Sequence, residues 1–219
     1  MKVTEKLRKD ADGIWEEIQN HPFVVKLYKG DLPIEKFEFY ALQDYYYLVR
    51  AVKNFSIISS KAGDIDAMRD LTEILHLEAH SEFEGYEQLL ERLGYRLEEA
   101  SQVEPIPINV SYTSFLISTS SLNPYEEAIT SVLPCFWSYA EIAKANEDKL
   151  KENENQIYRD WAEVYRTDSY LELVGRLKKL VNEAGEDHPY EKLKDVFITA
   201  SRYEYMFWDA VYNEKGWPV

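Results

Sequence analysis

Apolar residues recur at three- and four-residue intervals along almost the whole chain, the period of helices that turn one face to a core. Strand-type alternation is missing. The spacing predicts helices over about 4–19, 33–60, 64–94, 110–120, 123–145, 147–165, 169–184 and 189–214, with a short helix after His21-Pro22. Several have punctuation at their ends. Asp64 is placed to cap a helix start and Gly94 to stop one. In Asn123-Pro124-Tyr125-Glu126, Asn is the expected cap, with Pro at the first position and Glu at the third. Lys215-Gly216-Trp217-Pro218 reads as a stop. Residues 103–108, with two prolines, are the one clear irregular stretch. The eight glycines are dispersed, and no repeat, GxGxxG, Walker loop or linker appears. The expectation is one all-α domain over residues 1–219.

Some polar residues fall inside the apolar stripes. Phe37, Tyr40, Ala41, Asp44, Tyr47, Leu48, Ala51 and Phe55 share a face, with Asp44 in its middle. Glu204 interrupts the stripe of Phe197, Ala200, Tyr203, Phe207, Trp208 and Val211 in the same way. A buried carboxylate is costly unless paired. Each is therefore either satisfied by another helix or kept free for a ligand, and burial raises a carboxyl pKa toward the range of an acid/base catalyst. Pro134 lies inside a helix and predicts a kink just before Cys135; Tyr139 follows one turn later on the same face.

The stretch from Glu73 to His80 holds a Glu-x-x-His (Glu73, His76) and an i, i+4 histidine pair (His76, His80). A di-iron helical site requires a second such motif. The remaining histidines, His21 and His188, do not follow a glutamate by three, so no metal ligands are assigned.

Composition narrows the choices. Of 219 residues, 45% are hydrophobic and 14% aromatic, with 17 tyrosines, enough for a sizeable core. Apolar runs are far short of the ~20 residues needed to cross a bilayer, and the N-terminus has no secretory h-region. With a single cysteine, Cys135, the expected location is the cytoplasm, with no membrane partner. That thiol is either a small buried apolar residue or a nucleophile. The formal net charge of −15, without a basic stripe, disfavours nucleic acid as a partner.

Three blocks then take on a joint meaning. His21-Pro22-Phe23, Gly30-Asp31-Leu32-Pro33 and the run from Phe37 to Leu48 form the first; Leu133 to Tyr139 the second; Glu204 to Asp209 the third. In order and spacing they resemble the TenA (thiaminase II) family from about residue 5 to 215. The resemblance implies a haem-oxygenase-like helical bundle assembled as a homotetramer, without haem chemistry. It implies an aminopyrimidine aminohydrolase and thiamin hydrolase of the thiamin salvage pathway, needing no metal or organic cofactor. Cys135 corresponds to the family nucleophile and Glu204 to its acid/base. Asp44 matches the carboxylate that holds the pyrimidine amino group. Tyr47, Tyr112, Tyr139, Tyr165 and Phe207 match the substrate pocket, Tyr47 beside the thiol.

The residue types suit that chemistry. Addition of a thiolate to C6 of the ring, with protonation of a ring nitrogen, breaks aromaticity and frees the group on the exocyclic methylene. Two other classes stay open on sequence grounds: a non-catalytic pyrimidine-binding regulator, and a metal-dependent oxidase on the same fold.

Overall fold

The computed structural model describes residues 1–219 and contains no strand. Its helices are α1 (Val3–Asp10), α2 (Asp12–Gln19), α3 (Pro22–Lys29), α4 (Ile34–Lys61) and α5 (Ile65–Leu77), then a π-helical turn (Glu78–Glu82). There follow α6 (Phe83–Leu93), α7 (Leu97–Ser101), α8 (Pro107–Leu122), α9 (Tyr125–Ala145), α10 (Glu147–Lys151), α11 (Gln156–Val164), α12 (Asp168–Ala184) and α13 (Tyr190–Tyr212).

Helix α9 is the axis of the bundle. Its residues are buried from Glu127 through Pro134 and again from Phe136 to Tyr139, so it is covered on every side, as an all-round apolar helix must be. It packs on α13, α12 and α8, while α4 lies across α8 and α5. A contiguous cluster of 49 buried residues runs from Leu7 to Val211. Its densest part is aromatic. Tyr40 stacks on Trp208 with centroids 5.5 Å apart, and Trp161 meets Tyr40 edge-on at 5.7 Å, an arrangement that suits the ring quadrupoles.

The predicted ends at Asp64 and Gly94 are realised. Asp64 accepts from the amides of Asp66 and Ala67 at 2.9 and 2.8 Å, and Gly94 closes α6 with φ of +87°. Four expectations need correction. The helix over 4–19 divides at Ala11, because α1 packs on α12 and α13 whereas α2 turns to α9 and α3 as well. Gly13, a weak helix former, lies just beyond the break.

The helix over 147–165 divides as well. Asn153 turns its amide to the carbonyls of Leu27 and Tyr28, at 2.9 and 3.1 Å, and Asn155 caps α11. Gly30 ends α3 at φ +85°, and a Cβ there would lie 2.6 Å from Asn153 Oδ1; the crossing requires glycine.

Asn123 does not cap α9. It ends α8, and its side chain donates to Glu127 at 2.7 Å. The fourth correction is to the irregular 103–108 stretch, since α8 already begins at Pro107; α7, short and polar, went unpredicted. The helix α9 itself continues through Pro134.

Candidate active site

Four helices deliver their polar residues to one place. On α4, Tyr40, Asp44 and Tyr47 share a face by four- and three-residue spacing. Cys135 and Tyr139 do so on α9, and Glu204 and Phe207 on α13. All of these, with Tyr112 of α8 and Tyr165 after α11, line a single cavity of about 230 Å³. Every site residue expected from the sequence is thus brought together. Its rim includes the exposed side chains of Leu77, Ser81, Val164, Thr167 and Ser169.

The walls are aromatic. Tyr139 and Tyr165 approach to 4.8 Å between centroids, and Tyr47 and Tyr112 to 5.6 Å. Tyr203 backs Tyr112 in a nearly parallel stack at 5.1 Å. Tyr170, which the sequence reading missed, meets Tyr165 edge-on and is held by a 2.9 Å bond from its hydroxyl to the Phe136 carbonyl.

Within these walls the polar groups form a relay. The Tyr112 hydroxyl donates to Glu204 Oε1 at 2.6 Å. The Cys135 thiol lies against the same carboxyl, and the Tyr47 hydroxyl against the thiol. Burial pushes the thiol well above its ordinary pKa, with the Glu204 charge adding to the rise and Tyr47 opposing it. Cys135 is therefore a thiol at neutral pH and needs a base. Glu204, only 2% exposed, is pushed up by burial to about 7, against the pull of the Tyr112 bond and of the nearby Cys135 thiol. A carboxyl at that value both takes and returns a proton near neutrality.

Asp44 is raised to about 8, first by burial and then by the charges of Glu82 and Glu204, with the neighbouring Tyr40 hydroxyl opposing. Two further carboxyls open into the cavity from the π-helical turn, Glu78 and Glu82, and the sequence reading assigned neither. The signal was present: Leu71, Ile74, Glu78, Glu82 and Tyr86 keep helical three- and four-residue spacing, and the glutamates interrupt that stripe as Asp44 and Glu204 interrupt theirs.

The other histidines and acids fall elsewhere. Glu73 is ion-paired with Arg176, while His76 and His80 are exposed, their rings 4.5 Å apart. His21 caps α3, accepting from the Phe23 amide at 3.2 Å, and His188 bonds to Glu127 at 3.1 Å. No three His, Cys, Asp or Glu side chains come together as a metal site. No helix is long and apolar enough to cross a membrane.

Known proteins share this arrangement of helices. A TenA homologue from P. horikoshii OT3 superposes with a TM-score of 0.94 at 44% identity, covering 97% of this chain and 99% of its own. A Shewanella denitrificans domain described as having a heme oxygenase-like fold superposes at 0.78 over 96% of this chain and 92% of its own; at 14% identity it shows the fold alone. In sequence, the aminopyrimidine aminohydrolase of Halalkalibacterium halodurans is 32% identical over 99% of this chain and 98% of its own length. Residues 8–214 match the TENA/THI-4/PQQC family, and the chain, an all-α protein with a haem-oxygenase-like fold, belongs to it.

Proposed function

We propose that the protein is an aminopyrimidine aminohydrolase of thiamin salvage. It hydrolyses the bond from the exocyclic methylene of a 4-aminopyrimidine to an amine or thiazolium nitrogen, giving 4-amino-5-hydroxymethyl-2-methylpyrimidine. The observation that carries the reading is the lone thiol set between a tyrosine hydroxyl and a glutamate with pKa about 7, inside an aromatic cavity. The full-length likeness to a relative bearing that activity's name supports it.

In this mechanism the ring lies flat between tyrosines, with its C4 amino group on Asp44 and N1 toward Glu204. Ionised Glu204 takes the S–H proton as sulfur bonds to C6, and returns it to N1 as ring electrons move there. The dihydro ring is no longer aromatic. The C4 amino lone pair then expels the leaving nitrogen from the methylene, and Asp44 stabilises the resulting C4 iminium. Water adds to the methylene as the iminium electrons return to the C4 nitrogen, and its spare proton goes to the released ammonia or, for a thiazole leaving group, to solvent. N1 then gives its proton to Glu204 while the C6–S bond breaks, and the ring is aromatic again. Glu204 passes that proton to the departing sulfur to restore the thiol. Tyr47 holds the sulfur during attack and departure, and Tyr112 holds Glu204 in place. The same reading includes a homotetramer, which sedimentation velocity measures.

The test is to incubate the purified protein with 4-amino-5-aminomethyl-2-methylpyrimidine and quantify the hydroxymethyl product together with ammonia. Equal release with and without a chelator is expected. No product, with a bound but unchanged pyrimidine, would replace catalysis by the binding-protein reading; loss on chelation would replace it by a metal-dependent one.

A further inference from the structure

The proposed chemistry uses the carboxyls of α4 and α13 and leaves those of the π-helical turn without a task. Glu78 is 7% exposed, opens into the cavity, and has neither a hydrogen bond nor an ion pair. A buried carboxyl without a partner is among the more expensive things a fold can hold. Here the cost is increased by the nearby charges of Glu82 and Asp44. Nothing in the lining offsets them, for its 20 residues include no lysine, arginine or histidine. The backbone is unusual at the same place, since a π-helical turn is rare and is frequently found at functional positions. Burial pushes both carboxyls above their ordinary range, Glu78 well above it, so the empty wall favours the protonated forms, and a positive charge brought by a ligand is what allows it to ionise.

Ring chemistry says which part of the ligand meets this wall. This step rests on the pyrimidine reading above. With the C4 amino group on Asp44 and C6 at Cys135, the bond to be broken starts from C5, between those two side chains. Glu78 acts electrostatically on both Asp44 and Cys135, and Glu82 on Asp44. Their chain neighbours Leu77 and Ser81 stand exposed at the rim, so this wall lies on the way out of the cavity.

We propose that Glu78 and Glu82 form a subsite for a positively charged leaving group, an ammonium or a thiazolium, and so restrict the enzyme to aminopyrimidines that carry a cation rather than a phosphate on the exocyclic methylene. The subsite favours substrate over product. Hydrolysis exchanges the cation for a neutral alcohol, and the attraction that held the substrate is absent from the product. A phosphate ester at the same methylene brings no counter-charge and is repelled wherever either glutamate is ionised.

The test compares wild type with Glu78→Gln, Glu82→Gln and the double variant against three probes. These are the aminomethylpyrimidine (cation), the hydroxymethylpyrimidine (neutral) and the phosphate ester of the latter (anion). Dissociation constants come from calorimetry, and KM and kcat are measured for the amine. Each Gln substitution is expected to weaken binding and raise KM for the amine about tenfold or more, the loss of one charge-assisted contact. The neutral alcohol should change less than about twofold, and the phosphate ester should bind more tightly than to wild type. Parallel losses for the cation and the alcohol, or no loss for either, would overturn the subsite. Glu82 is only half-buried, so its variant keeps the test open should Glu78→Gln fail to fold. A wild type that neither binds the alcohol nor consumes the amine would defeat the pyrimidine reading and the subsite with it. A wild type that does both, alongside variants that keep its charge preference, defeats the subsite alone.

Discussion

Glu127 and Glu204 are both buried glutamates, at 8% and 2% exposure, on helices that pack against each other. Their surroundings differ. Glu127 accepts from Asn123 on one side and bonds to His188 on the other, and it does not line the active-site cavity. Glu204 has one conventional donor, Tyr112, and its remaining surface faces a thiol and an open cavity. Burial alone does not mark a functional carboxyl. What separates the two is whether the protein has already supplied the partners. Asp44 belongs with Glu204 in this respect, and Glu78 lies at the far end of the same scale, with no partner at all.

The widest gap between the satisfied and the unsatisfied region is expected at the thiol. Cys135→Ser should lower product formation by about 10⁴-fold or more, because a hydroxyl without a strong base is a far poorer nucleophile than sulfur. The fold should be retained, since the replacement is smaller and fits the same space. Rates close to wild type, read from hydroxymethylpyrimidine release, would remove sulfur from the mechanism.

Glu204→Gln comes next, with a loss of at least about 10²-fold in kcat/KM. The pH profile carries the sharper information. Since the thiol is protonated at neutral pH, Glu204 must be ionised to take its proton. Wild-type kcat/KM should therefore rise with pH through about 7, the value at which Glu204 titrates. The Gln variant should lack that limb. A variant that is slow but keeps the limb would mean that another group titrates there.

Asp44→Asn preserves shape and removes the charge. Above pH about 8, where Asp44 is ionised, binding of an aminopyrimidine should weaken by about 10- to 150-fold, the worth of a charge-assisted hydrogen bond of roughly 1.5–3 kcal/mol. Because burial and the neighbouring acids hold Asp44 near 8, wild-type affinity should also increase as pH approaches that value, and the variant's should not. A variant with a lower melting temperature but undiminished affinity would move Asp44 to the satisfied class, beside Glu127.

Much of this could be read before the helices were seen together. Asp44 and Glu204 announced themselves by interrupting apolar stripes, and Cys135 by being alone. Glu78 and Glu82 carried the same signal but lay beside His76 and His80, where a metal motif was the more conspicuous reading. A π-helical turn leaves no mark on a 3.6-residue pattern, so the local backbone there was not legible. The breaks at Ala11 and at Asn153–Asn155 were hidden for another reason. Both are set by what the flanking helices pack against, which periodicity does not encode. Asn123 was misplaced because the same side chain suits a cap or a partner for Glu127, and only the neighbour decides.

The smallest effect on turnover should come from the satisfied side of the comparison. Glu127 lies in the first turn of α9, where its charge also favours the helix N-terminus. Glu127→Ala takes this acceptor from the half-buried Asn123 amide and His188 ring, at a cost of about 1–3 kcal/mol. For a chain of this size that lowers the melting temperature by roughly 2–12 °C. The residue has no contact with the cavity, so kcat and KM at a temperature where the variant is folded should stay within about twofold of wild type. Glu127→Gln, which can still accept from Asn123, should recover part of the lost stability. The comparison breaks if Glu127→Ala slows turnover as far as Glu204→Gln does while its melting temperature is unchanged. That result would place the functional boundary outside the cavity and make partner supply the wrong criterion.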